Sequence, residues 1–251
     1  MHCIVSLTTI PSKFSEIYHT IDSLLCQTVL PSCIVLHIPK KYSFRLQGEI
    51  TDEQIVVFQQ KYSGSSVPLL VNRIENDYGP GTKLLGLFEP TMNVCIPEDA
   101  CILLVDDDMI YKPVTVEAFL IYFLSNTNIQ VGSFDCYHFS NFNIGQGVCG
   151  YMMKWNLMNC FSKYYSLIKD QDYVNYQDDI YISFYFHLQG VPLHYFQLKD
   201  NEPICEHSST AELDGLHNLD NKYNRKDVDS HTLSILEQMN RDGCFTNLFI
   251  L

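Results

Sequence analysis

Hydrophobic positions along this chain come in short runs whose spacing alternates between strand-like and helical. Cys3–Leu7 is an apolar run ending at Thr8-Thr9-Ile10-Pro11, which predicts a buried strand entering a loop. Ser15 can cap a helix with Glu16 in its first turn, and Ile17, Ile21, Leu24 and Leu25 then share one face. Pro31 closes that unit, and Cys33–Ile38 reads as a second strand. Strand–helix–strand in this order predicts parallel neighbours. Residues 40–65 form a polar excursion in which Thr51 and Gln54 make a capping box for a short helix through Phe58. Val67–Ile74 predicts a third strand, which leads through Asn76-Asp77-Tyr78-Gly79-Pro80-Gly81 into a helix from Thr82 to about Glu89. Cys101–Val105 is apolar throughout, as a central strand should be, and stops at Asp106-Asp107-Asp108. Val116–Leu124 predicts the next helix.

Beyond that point the alternation weakens. Val131–Tyr137 and Tyr151–Trp155 read as strands around a glycine-bearing loop, Asn143–Gly150. Ile180–Leu188 predicts a helix stopped by Gly190, Pro192–Phe196 a strand, and Asp229–Asn240 a closing helix after the polar stretch Lys199–Asp227. No repeat or low-complexity segment interrupts the chain. The pattern predicts one α/β domain, mostly parallel in its first half and mixed in its second. A chain of 251 residues that is 46% hydrophobic has enough apolar side chains for one sizeable core.

Charge and cysteine usage narrow the chemistry. A net charge of −13 argues against nucleic acid as a partner, since a phosphate backbone needs a positive surface. Only 16 Lys+Arg are available for any phosphate-bearing ligand, so a divalent cation held by carboxylates is expected to share the task. Ten cysteines are scattered with no C-x-x-C pair, which predicts free thiols in a reducing compartment. No run of about 18 apolar residues predicts a membrane span. The opening residues lack the basic start and long apolar stretch of a signal peptide, so a cytoplasmic protein is expected.

The strongest chemical signal is Asp106-Asp107-Asp108 at the end of a buried strand, where open α/β sheets bind ligands. Three adjacent carboxylates repel unless positive charge arrives, and Mn²⁺ or Mg²⁺ prefers such oxygen donors. If the segment is extended, Asp106 and Asp108 point the same way and can share one ion; the plain alternative is a solvated acidic turn. Asp178-Asp179 opens a predicted helix. One of them is expected to cap it, leaving the other as a candidate general base. Asp77-Tyr78-Gly79-Pro80-Gly81-Thr82-Lys83 joins glycines, free helix N–H groups and a lysine able to reach a phosphate, though an ordinary strand-to-helix turn has the same look. His207, with His217 as its rival, is a candidate to close over a metal. The 16 tyrosines, 15 phenylalanines and Trp155 serve mainly as core, with a few free to stack on a sugar.

Taken in order, these motifs resemble GT-A-fold glycosyltransferases, in particular a group with a Thr-Ile-Pro-Ser start and a Tyr-Gly-Pro-x-Thr-Lys motif met in bacteria and large DNA viruses. The likeness runs from Ile4 to about Phe196. It implies a single GT-A domain whose Rossmann-like half, 1–112, binds a nucleotide sugar and whose remainder, 113–251, binds the acceptor. It implies donor contacts from Thr8, Thr9, Ile10 and Lys13, from Asp77, Tyr78, Gly79 and Lys83, from Asp106 and Asp107, and from Gly147 and Gly150. Asp106 and Asp108 would be the metal ligands; the likeness ends before His207 and His217 and does not choose between them as a third. Asp178 or Asp179 would be the base of an inverting transfer from a nucleotide diphosphate sugar, most often a UDP-sugar, to a glycan, protein or small-molecule acceptor. Two positions depart from the group: Lys13 stands where arginine is expected, and Gly81 where alanine is usual. A phosphatase of the HAD type, with Asp106 as nucleophile and Asp108 as acid, is the rival enzyme; a non-catalytic nucleotide-sugar-binding module is the third reading.

Overall fold

The computed structural model describes residues 1–43, 48–92, 95–139, 142–208 and 225–249. The strand–helix alternation of the first half is present as β1 (Cys3–Thr8), α1 (Ile17–Leu25), β2 (Cys33–Pro39), α2 (Asp52–Lys61) and β3 (Leu69–Ile74). A 3-10 turn, Gly79–Gly81, leads into α3 (Thr82–Leu85) and then β4 (Cys101–Leu104). There follow β5 (Met109–Tyr111), α4 (Thr115–Ser125), β6 (Val131–Ser133), β7 (Cys136–Phe139), β8 (Phe142–Gly145) and β9 (Tyr151–Lys154). The chain continues through α5 (Phe161–Ile168), α6 (Asp178–Leu188), β10 (His194–Tyr195), β11 (Cys205–His207) and α7 (Arg225–Arg241).

Seven strands form one sheet in the order β10-β6-β9-β4-β1-β2-β3. β1 runs parallel to both β2 and β4, β3 parallel to β2, and β10 parallel to β6. β9 runs against its neighbours β4 and β6, so the mixed character of the second half comes from this strand. The period-2 alternation of the strands divides the core in two. Val5, Leu7, Ile34, Leu36 and Leu103 pack with Ile17, Ile21 and Leu24 of α1, Phe58 of α2 and Phe119 of α4. Ile4, Val35, Ile102, Leu104 and Met153 face the other way, against Leu84 of α3, Phe161 of α5 and Phe184 of α6. Each fully buried large side chain contributes about 1.5–3 kcal/mol, so the sheet is held from both faces.

Several local expectations change. Ser15 does not cap α1: the cap position is Glu16, without a side-chain cap bond. The Thr51/Gln54 capping box is present, and α2 runs on to Lys61. The helix expected to reach Glu89 is α-helical only to Leu85 and tightens to 3-10 geometry over Gly86–Phe88. The strand expected over 131–137 is broken into β6 and β7. The loop expected over Asn143–Gly150 begins as β8, paired with β7 as far as Gly145, and the strand expected over Pro192–Phe196 is the two-residue β10; β5, β11 and α5 have no clear periodic signal. No helix among the described residues is long and apolar enough to cross a membrane, and all ten cysteines are free thiols.

His37, on β2, is fully buried between Ser6 (Oγ to Nε2 3.0 Å) and Asn72 (Nδ2 to Nδ1 3.1 Å). Burial lowers its pKa from 6.5 to about 3. The unfolded chain takes up a proton near pH 6.5 that the folded chain refuses until about pH 3, so stability falls as pH drops through this window. Between about pH 7 and pH 5 the expected loss is about 2 kcal/mol. His37→Gln keeps a donor toward Ser6 and cannot titrate. Urea denaturation at the two pH values should therefore show a loss smaller by about that amount in the variant; equal losses would mean His37 titrates normally in the fold.

Candidate functional site

The site lies beyond the carboxyl ends of β1 and β4, which are adjacent and in parallel register (Val5 opposite Leu103, Ser6 opposite Leu104). That register brings the loop after β1 beside the acidic segment after β4. Asp106-Asp107-Asp108 is not an extended strand: Asp107 and Asp108 form the turn between β4 and β5. Asp106 and Asp108 therefore do not occupy alternate positions of one strand, and each carboxylate has its own ammonium. Lys83 Nζ donates to Asp106 Oδ1 at 2.6 Å, and Lys13 Nζ donates to Asp108 Oδ2 at 2.8 Å. Lys13 also stands 3.8 Å from Asp107.

Backbone and hydroxyl contacts fix the acidic turn. Thr20 of α1 donates to the Asp107 carbonyl at 2.8 Å, and the Ser208 N–H donates to the Asp108 carbonyl at 2.8 Å. Tyr111 Oη accepts the Asp106 N–H at 3.0 Å and donates to the Val148 carbonyl at 3.2 Å, tying the acidic turn to the glycine loop. Nothing in the sequence marked Tyr111 or Thr20 for these tasks, because each sits in an ordinary amphipathic pattern.

The second acidic pair meets the first through Lys83. Both Asp178 and Asp179 lie inside the first turn of α6; the cap position is Gln177, with no side-chain cap bond, so neither aspartate caps the helix. Lys83 Nζ stands 3.1 Å from Asp178 Oδ2, an ion pair whose angles fall short of a hydrogen bond. Asp179 Oδ1 accepts the Gly147 N–H at 3.0 Å. A Cβ on Gly147 would come within 2.8 Å of Lys83 Nζ and 3.3 Å of Asp106 Oδ1, so a glycine there leaves room over the cluster. Gly150 serves the fold instead: its φ of +90° and its approach to Phe119 suit glycine alone.

Burial and charge set the protonation states. Burial alone would lower Lys83, but Asp106, Asp178 and Asp179 hold it well above the ordinary lysine value. Burial likewise opposes the charge on Lys13, and Asp107 and Asp108 overcome it. Burial pushes Asp107 up to about 6 against the pull of Lys13. Burial and then the neighbouring Asp178 push Asp179 well above the usual carboxylate range, against the pull of Lys83 and the Gly147 N–H. Five aspartates thus share two ammoniums, and the cluster carries surplus negative charge.

The remaining predicted residues fall around this centre unevenly. Thr8 Oγ1 donates to the His37 carbonyl, the Thr9 carbonyl accepts from Tyr42 Oη at 2.9 Å, and the Ile10 carbonyl accepts the Lys13 N–H. Asp77 accepts the Gly79 and Ser43 N–H groups, which closes the turn in which Gly79 has φ +58°. Tyr78 donates to Glu89 and packs edge-on against Tyr165. A Cβ on Gly81 would overlap the Tyr181 hydroxyl, which explains glycine where alanine was expected. His207 is exposed on β11, where the register sets it opposite Met109, one residue from Asp108. His217 lies outside the described residues.

Among the described residues no three His, Cys, Asp or Glu side chains already converge as a metal-ligand set. The donor chemistry nevertheless fits a hard divalent cation, because Asp106 and Asp108 are oxygen donors within a cluster short of positive charge.

No protein-family model matches the chain, and no curated protein matches it. Solved structures do. The mannosyltransferase PcManGT from Pyrobaculum calidifontis, solved with GDP-Man and Mn²⁺, superposes with a TM-score of 0.59 at 13% identity, covering 86% of this chain. This chain spans 59% of that protein. Residues 1–349 of TarS from S. aureus superpose with a TM-score of 0.54 at 15% identity, over 100% of this chain and 76% of the other. The same TarS segment with UDP gives 0.52 at 14% identity, covering 98% and 74%. A mixed sheet with four adjacent parallel strands at one side, one antiparallel strand within it and these structural neighbours together establish the GT-A fold.

Proposed function

We propose that this protein is a metal-dependent glycosyltransferase, moving a sugar from a nucleoside diphosphate donor to an acceptor hydroxyl with inversion. The observation that carries the reading is the cluster Asp106–Lys83–Asp178 with Lys13–Asp108 beside it, at the ligand-binding end of the sheet. Neighbours of the same fold were solved with GDP-Man and Mn²⁺ and with UDP, which supports a nucleotide donor. A diphosphate adds two or more negative charges to a cluster already in surplus, so Lys13 and Lys83 alone leave it unbalanced. Asp106 and Asp108 would hold a divalent cation, with His207 or His217 as third ligand, and when bound it supplies charge to the leaving diphosphate.

The chain's own residues take the other parts. The loop after β1 and the Asp77–Gly79 turn flank the nucleoside, and Lys83 turns its ammonium from Asp106 to the diphosphate. Asp179 is the base: it receives the acceptor hydroxyl proton as the oxygen bonds to the anomeric carbon and the bond to phosphate breaks. Asp178 is the poorer candidate, since its carboxylate is held by Lys83.

Thermal melting with a panel of nucleoside diphosphates, with and without Mn²⁺, tests this directly. One nucleotide should raise the melting temperature only when Mn²⁺ is present, and Asp108→Ala should abolish that rise. No shift with any nucleotide, together with hydrolysis of a generic phosphate ester, would favour the phosphatase instead.

A further inference from the structure

A line of polar side chains buried in the sheet has no part in the scheme above. Asn72 on β3, His37 on β2 and Ser6 on β1 are each buried, two of them completely. Asn72 Nδ2 donates to His37 Nδ1 at 3.1 Å and to the Gly86 carbonyl at 3.0 Å, while its Oδ1 accepts from Thr91 Oγ1 at 2.8 Å. With Nδ1 accepting, the ring proton belongs on Nε2, which faces Ser6 Oγ at 3.0 Å. The Ser6 hydroxyl in turn donates a hydrogen bond to the Lys83 carbonyl at 2.5 Å. Three parallel strands are thereby linked, by side chains alone, to both ends of the segment that carries Lys83. That segment needs such support. α3 is four residues long, too short to hold its own geometry, and it continues as a 3-10 turn. Gly86 completes the fit, since a Cβ there would run into the His37 ring.

We propose that Ser6, His37 and Asn72 are positioning residues, a hydrogen-bond relay that holds the Lys83 backbone so that its ammonium is aimed at the donor diphosphate. Buried polar groups in a parallel sheet are costly unless each is satisfied, and here every donor of the relay has an acceptor. Apolar residues at these strand positions would pack as well and leave the Lys83 and Gly86 carbonyls without these partners. The inference rests on the reading of Lys83 as a diphosphate contact.

The test uses the full chain and calorimetric titration with UDP, UMP, GDP and GMP in Mn²⁺. If Ser6 acts through Lys83, Ser6→Ala weakens the preferred diphosphate about tenfold and leaves the matching monophosphate within about twofold. In a Lys83→Met background the same change should add nothing. His37→Gln keeps a donor toward Ser6 and should keep the preference for diphosphate; His37→Leu should lose it. A second readout needs no nucleotide: acylation of lysine amines by an N-hydroxysuccinimide ester, followed by mass spectrometry. Lys83 should label slowly in the native chain and faster in Ser6→Ala, relative to Lys13. Equal weakening of both nucleotides, or an effect of Ser6→Ala that persists without Lys83, would overturn the relay, as would unchanged Lys83 labelling. If the native chain binds no nucleotide, the glycosyl-transfer reading fails, and the labelling alone decides whether the relay positions Lys83.

Discussion

Replacing Lys83 by Met is expected to cost roughly 3–5 kcal/mol of stability near pH 7, as breaking a buried ion pair by deleting one partner does. The side chain is 5% exposed, and its ammonium is 2.6 Å from Asp106 and 3.1 Å from Asp178. Methionine fills much of the same volume, so the loss comes from carboxylates left in a buried place without their cation. That origin predicts a pH dependence with a definite sign. Without Lys83, the folded pKa of Asp179, already above that of the unfolded chain and held down by this ammonium, rises further. The folded variant then takes up protons before the unfolded one as pH falls, so its deficit relative to the native chain shrinks towards about pH 5. Comparing variant and native chain at each pH cancels the separate contribution of His37. Urea denaturation at pH 7 and pH 5 measures the difference. An equal deficit at both would show that Lys83 contributes packing and not charge.

How much of this was legible in the sequence depended on whether a residue's task was local. The placement of Asp106–Asp108 at a strand end could be read because an apolar run ended abruptly in charge; Lys83 stood out only through the family resemblance, since its glycine turn by itself reads as an ordinary strand-to-helix turn. The fold class followed from strand–helix alternation, which registers in the hydrophobic period itself. What could not be read was long-range pairing. Lys13 belongs with Asp108, 95 residues away, and Lys83 with Asp178; spacing carries no trace of either. Ser6, His37 and Asn72 look like chance polar interruptions of three strands until parallel register sets Asn72 opposite His37 and leaves Ser6 diagonal to that ring, two residues before its partner Thr8. The aspartates opening α6 misled for the opposite reason. Asp is so common at helix caps that a capping role was expected for one of them. Packing decided otherwise, turning Asp178 to Lys83 and Asp179 to the Gly147 N–H. β11 was hidden within a polar stretch because its pairing with β5, not its own periodicity, makes it a strand.

Asp179→Asn should separate donor binding from transfer. Asparagine keeps an Oδ1 to accept the Gly147 N–H, so the glycine loop stays in place, and no contact of Lys83 with Asp106 or Asp178 is removed. The Mn²⁺-dependent melting shift should therefore survive. Transfer should not: an amide cannot receive the acceptor proton, and loss of a general base lowers kcat by about 10²–10⁴. Asp178→Asn should do the reverse, loosening Lys83 and raising the donor KM more than it lowers kcat. The native enzyme should carry the signature of its base in its pH profile. Burial and Asp178 hold Asp179 well above the usual carboxylate range, so kcat should climb with pH as Asp179 loses its proton. The residual activity of Asp179→Asn should show no such climb. Transfer assayed with the donor that the melting panel identifies, across pH 5 to 9, decides the matter. Full activity in Asp179→Asn with the same pH climb would move the base to Asp178, and full activity in both variants would remove the acidic pair from the chemistry.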